Sequence, residues 1–170
     1  MQLTLELGLP KIEVGMFKAR GFGVVSKYVK DVVIMPARAT KLSAGYDIFN
    51  NTGEDITINP GEICEKFTTK IYAYMLEDEV LMVYPRSGLG FKYSVRLANT
   101  VGIIDADYLL SDNEGEIFVR LHNQGNSPLV IKKDEAFAQA IFTKWLLVDG
   151  DDYTKGADRN GGLGSTTGKK

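Results

Sequence analysis

"GEIFVRLHN", residues 115–123, decides the fold class. Ile117, Val119 and Leu121 fall on one side of an extended chain, and Phe118, Arg120 and His122 on the other. That alternation predicts a half-buried strand. Three further stretches read the same way: "DVVIMP" (31–36), "DITINP" (55–60) and "EVLMVYP" (79–85) are short, β-branched or aromatic-rich, and bounded by Asp, Asn, Pro or Gly. Eighteen glycines and five prolines cut the chain into such pieces, which predicts an all-β sandwich or barrel. One short helix is expected after "PRSG", within 87–97. "DEAFAQAIF" (134–142) contains helix formers, yet its length and its run into "TKWLLV" suit a strand equally well.

The chain has 170 residues, which suits one domain. A net charge of −2 offers no global basic field for a nucleic-acid backbone, so no nucleic-acid partner is expected. With one cysteine, Cys64, and one histidine, His122, no internal disulfide can form and a zinc site built on Cys and His lacks ligands. A packed thiol and a strand-end histidine are the expected roles. The opening "MQLTLELGLP" has no basic stretch and carries Glu6, and no apolar run approaches the roughly 18 residues of a membrane span. The expected location is the cytoplasm, away from membranes. Residues 1–19 read as a leader of unassigned role, 20–149 as the β domain and 150–170 as a flexible arm. The arm holds six glycines and little apolar surface with which to hold itself down.

Chemistry concentrates in a few stretches. "GIIDADY" (102–108) sets two carboxylates two residues apart, open to acid/base work, to a metal pair, or to a plain strand end. Spacing does not choose between Asp105 and Asp107. "YPRSGLG" (84–90) offers Arg86, Ser87 and Gly88 as an anion-binding turn, or as an ordinary capped turn. "SAGYDIF" (43–49) carries Asp47, a weak signal alone. Gln139 sits inside an apolar stretch and needs partners if buried. In the arm "DRNGGLGSTTGKK" (158–170), Arg159, the serine and threonine hydroxyls and the glycine amides suit phosphate.

Taken in order, AGYD, PRSG, GIIDADY, the glutamine strand and the R…GGLGST arm resemble the trimeric dUTPase family (deoxyuridine 5′-triphosphate nucleotidohydrolases), in the type found in Gram-positive bacteria and their phages. The resemblance covers about residues 20–168. It implies a jelly-roll-like β barrel assembled as a homotrimer with shared active sites. It also implies hydrolysis of dUTP to dUMP and pyrophosphate with Mg²⁺ on the triphosphate. By that resemblance Asp105 is the base that activates the attacking water, and Asp47 orients a water of the metal. Asn99 and the Gly102, Ile103 and Ile104 backbone read uracil. Tyr108 packs under the deoxyribose, and Phe118 lines the base pocket. Arg86, Ser87, Gly88, Gln139, Arg159, Gly164 and Ser165 bind phosphates, and Leu163 covers the base.

The arm departs from the family pattern. One residue is missing after Arg159, and Leu163 stands where phenylalanine is usual, which leaves Leu163 or another aromatic such as Phe91 to cover the uracil. About five extra residues lengthen 109–116. Ala136 replaces a usual arginine, so a structural ion pair is expected to be missing there. Two rival readings follow. A dCTP deaminase would share the fold but needs a glutamate near Arg120, where there is none. A binding module would meet a protein partner through 109–116 or the leader.

Overall fold

A computed structural model describes residues 19–151 and, beyond them, Gly156, Arg159 and Gly161. The strands run in chain order as β1 (Gly21–Val24), β2 (Tyr46–Phe49), β3 (Ile56–Ile58), β4 (Phe67–Thr68), β5 (Ile71–Tyr74) and β6 (Glu79–Pro85). After the helix α1 (Ser87–Tyr93) come β7 (Val95–Leu97), β8 (Gly102–Asp105), β9 (Phe118–Val119), β10 (Leu121–Asn123), β11 (Leu129–Ile131) and β12 (Ala136–Lys144). Two 3₁₀ turns, Ser26–Tyr28 and Ala106–Leu110, complete the elements. The expected all-β class with one short helix holds. The helix stops at Tyr93 because Ser94 takes a left-handed conformation (φ 52°) and donates its N–H to the Gly90 carbonyl, so 95–97 runs on as a strand.

A four-stranded antiparallel sheet in the order β2-β12-β6-β8 carries the site. Short pairs β1–β5, β3–β11, β4–β9 and β7–β10 wrap the rest. The 115–123 stretch behaves as its alternation predicts: Ile117, Val119 and Leu121 are buried and Phe118, Arg120 and His122 are not. It changes partners at Arg120, from β4 to β7, so β9 and β10 turn a corner in one run of chain. From Ala136 on, the 134–142 stretch is strand, not helix. A bulge between Ala136 and Ala138 turns Phe137 and Ala138 both inward, where Phe137 packs edge-on to Phe67 at 5.0 Å.

Residues 31–36 correct an expectation, since they form no strand. Their apolar run is drawn on by a buried asparagine instead. Ile34 donates its N–H to Asn51 Oδ1 (2.8 Å) and accepts from Asn51 Nδ2 (3.1 Å), so a side chain supplies the partners that a ladder would have given. Val32 is left 94% exposed.

The start of β1 is tied to the sheet by Arg20. Its Nε lies 2.9 and 3.0 Å from the two carboxylate oxygens of Glu79, which also accepts the Leu76 N–H. The guanidinium holds the nearly buried Glu79 carboxyl below its ordinary range.

Candidate active site

The register of the main sheet puts the sequence-flagged residues in two groups. Gln139 on β12 pairs with Asp47 on β2 and with Tyr84 on β6. Arg86, just past β6, turns back so that its Nε is 3.3 Å from Asp47 Oδ1, and its backbone N–H bonds to the Phe137 carbonyl (3.2 Å). Gly45 makes room for this group, because a Cβ there would stand 2.8 Å from Gln139 Oε1. Gln139 Nε2 donates to the Pro85 carbonyl at 3.3 Å. Ser87 and Gly88 follow as exposed residues of the first turn of α1. Asp47, Arg86, Ser87, Gly88 and Gln139 are therefore neighbours, as a phosphate loop requires. The carbonyl of Ala136 accepts a long bond from Arg86 Nη1 (3.4 Å).

The second group lies at the far end of β6. Asp105 ends β8 opposite Val80, four residues down β6 from Tyr84. At about 3.3 Å per residue that separates the two groups by about 13 Å. Val80, Met82 and Tyr84 share the outward side of β6, while Leu81 and Val83 are buried. Asp47, Gln139 and Asp105, paired with these outward positions, thus sit on the outer side of the sheet.

Beside β8 a pocket opens, lined among others by Asn99, Gly102, Ile103, Ile104, Tyr108, Phe118 and Arg159, the last of which pairs with Asp105. Asn99 stands in a tight turn between β7 and β8: Val101 N–H bonds to the Asn99 carbonyl (2.8 Å), and Thr100 is held at φ 70°. Gly102 lets β8 lie close on β6, since a Cβ would approach Val83 Cβ to 3.0 Å. The Tyr108 ring forms a flat, 6% exposed wall. Phe118 carries Lys66 Nζ over its ring at 4.7 Å. Every nucleoside-reading residue expected within the described part thus converges on one cavity.

Arg159 takes its place in this second group rather than beside Arg86. Its guanidinium pairs with Asp105, reaches Asp107 Oδ1 at 2.7 Å through Nε, and lies 5.8 Å from the Tyr108 ring centre. The two aspartates do not share an extended face, because Asp107 already belongs to the 3₁₀ turn; Arg159 joins them instead. Leu163, Gly164 and Ser165 lie outside the described residues, as does most of the leader.

Sequence reasoning missed two contributors. Arg120 lines the pocket, with its Nε donating to the Cys64 carbonyl (2.8 Å); the strand alternation had put it on the correct side. Asn113 and Glu116, in the lengthened 109–116 segment, hold the Tyr108 hydroxyl, and no local pattern announces that contact. Cys64 is a packed thiol: its Sγ accepts the Leu121 N–H (3.1 Å), and burial pushes its pKa above the ordinary value.

With this geometry in hand, comparison with known proteins is decisive. The dUTPase family model matches residues 31–167. The chain belongs to the dUTPase family. It is 42% identical over 150 residues to the deoxyuridine 5′-triphosphate nucleotidohydrolase of Lactococcus lactis subsp. lactis (strain IL1403), covering 88% of this chain and 98% of that one. The crystal structure of dUTPase from Streptococcus mutans superposes with a TM-score of 0.66 at 36% identity, over 76% of this chain and 99% of that one. The dUTPase from phage phi11 of S. aureus, at 19% identity and a TM-score of 0.62 over 79% of this chain and 96% of that one, shares the fold. This dUTPase is thus of the Gram-positive type, with the family's jelly-roll architecture. Among its described residues no helix is long and apolar enough to cross a membrane.

Proposed function

We propose that this chain hydrolyses dUTP to dUMP and pyrophosphate, with Asp105 taking the proton of a water that attacks the α-phosphorus. The observation that carries this reading is the convergence of Asn99, Gly102, Tyr108 and Phe118 on one pocket, which Arg159, the partner of Asp105, also lines. In the proposed complex the backbone of Gly102–Ile104 and Asn99 read the uracil edge. A cytosine in the same place leaves buried groups unpaired, at a cost of about 1–3 kcal/mol each. The Tyr108 ring packs under the sugar and gives a ribose 2′-hydroxyl neither space nor partner. Arg86, Ser87, Gly88 and Gln139 receive the phosphates. The work of such an enzyme is to keep uracil out of DNA and to supply dUMP for dTMP synthesis, in the cytoplasm.

A base about 13 Å from the phosphate loop cannot serve the same phosphorus within one copy, because a general base works within hydrogen-bond reach. This supports a homotrimer in which Asp105 of one copy faces Arg86 of another. The exposed apolar Ile103, 54% accessible and paired with the outward Met82, gives a neighbouring copy something to cover. Arg159, which pairs with Asp105 and Asp107, then turns to the incoming phosphates. That movement frees Asp105, and the glycine-rich arm from Gly150 closes over the nucleotide with Leu163, Gly164 and Ser165.

The donor set suits Mg²⁺ held by the substrate. Among the described residues no cluster of three or more His, Cys, Asp or Glu could hold an ion by itself. Asp47, paired with Arg86, would orient one water of an ion carried on the triphosphate. When bound, Mg²⁺ neutralises phosphate charge and helps pyrophosphate leave. Chelation with EDTA is expected to stop pyrophosphate release from dUTP, and added Mg²⁺ to restore it. Turnover unchanged by EDTA would remove the metal from this reading.

A further inference from the structure

The lengthened 109–116 segment folds onto its own chain, and its contacts converge on Tyr108. Tyr108 is nearly buried, and its hydroxyl donates to the Glu116 carbonyl (2.9 Å) and accepts from Asn113 Nδ2 (2.8 Å). Ser111 Oγ lies 2.6 Å from Asn113 Oδ1 and 2.5 Å from the Tyr108 carbonyl, sharing its one proton between two acceptors. Asn113 is thereby oriented with its amide nitrogen toward the phenol. Beyond it, the fully buried Glu116 carboxylate anchors the segment, accepting from Thr68 (2.5 Å) and Tyr28 (3.1 Å) and pairing with Lys27 (2.6 Å). Glu114 adds a bond from the Ser26 N–H (2.8 Å).

We propose that Asn113 is a positioning residue for sugar selection: the 109–116 segment is an internal brace that fixes the Tyr108 hydroxyl and so sets the plane of the ring against which the deoxyribose packs. The inference rests on the proposed dUTPase reaction, and it assigns the extra residues to this chain's own pocket rather than to a protein partner. A phenol with one partner removed can pivot about its side-chain torsions, and a ring that tilts opens space for the 2′-hydroxyl it should exclude.

The test compares wild type, Asn113→Leu, Tyr108→Phe and the double variant in steady-state hydrolysis of dUTP and UTP, with thermal melts alongside. Leucine keeps the branched shape of Asn113 and removes both its donor and its acceptor. The brace predicts a KM for dUTP raised about tenfold in Asn113→Leu, the size of one net hydrogen bond, with kcat changed less. The dUTP-over-UTP preference in kcat/KM should narrow by a similar factor. Tyr108→Phe should show the same pattern at least as strongly, since it also removes the bond to the Glu116 carbonyl, and the double variant should be no worse than Tyr108→Phe, because the Asn113–Tyr108 bond is common to both changes. A lower Tm with KM and preference unchanged would overturn the proposal, as would losses that simply add. Should Asn113→Leu not fold, Asn113→Ser serves with the same readouts. A wild type inactive on dUTP would refute the reaction, not the brace. Calorimetric affinities for dUMP against UMP would then decide the brace by the same pattern.

Discussion

Asp105→Ala is expected to abolish dUTP turnover while nucleotide binding persists. Asp105 is a half-exposed carboxylate held by Arg159, which lines the proposed nucleoside pocket. It contributes nothing to the pocket's walls, which come from Asn99, Tyr108, Phe118 and the β8 backbone. Removing it should therefore leave uracil and sugar recognition in place. What goes is the group that takes the proton, a loss of at least about 10²–10⁴ in kcat. Arg159 keeps Asp107 as a partner in the variant, so the fold around the pocket should survive. Rapid-quench turnover and calorimetric binding of a non-hydrolysable dUTP analogue separate the two effects. A variant with near-normal kcat would shift the base role to Asp107 or to solvent.

The second large effect is complementation. Arg86→Ala should be as inactive as Asp105→Ala, since it strips the charged fork from the phosphate loop and leaves Asp47 without its partner. Because Arg86 follows the end of β6 while Asp105 ends β8 opposite Val80, near the start of β6, one catalytic site is expected to draw them from different copies. Two inactive variants unfolded together and refolded as mixed trimers should then recover activity. At equal amounts about a quarter of the sites would combine an intact Arg86 with an intact Asp105. Size-exclusion chromatography with light scattering reports the assembly itself. Mixed trimers with no recovered activity would place the two residues in one copy's site.

The sequence carried the fold class well where one face of a strand is buried. The alternation in 115–123 and 79–85 is a direct consequence of the pleat, and both stretches are strands. It failed at 31–36, because a β-branched run says nothing about whether a neighbour will supply a ladder or a side chain such as Asn51 will. It could not decide 134–142, where helix formers are overridden by pairing to two flanking strands. The site was legible as an ordered set of motifs, and the pocket gathers those for the nucleoside. Their division into two separated groups was not legible, since it depends on the register of β6 against β8 and β12. The bonds from Asn113 and Glu116 to Tyr108 were also hidden, because they depend on how the added segment folds back.

The most direct measurement of the central claim is pyrophosphate release by the wild-type protein with Mg²⁺, offered dUTP, dCTP, dTTP and UTP in parallel. The account predicts rapid release from dUTP and at least about a hundredfold lower kcat/KM for each of the others, as expected when buried hydrogen-bonding groups are left unpaired. Equal turnover of dUTP and dCTP, or none of dUTP, would contradict it.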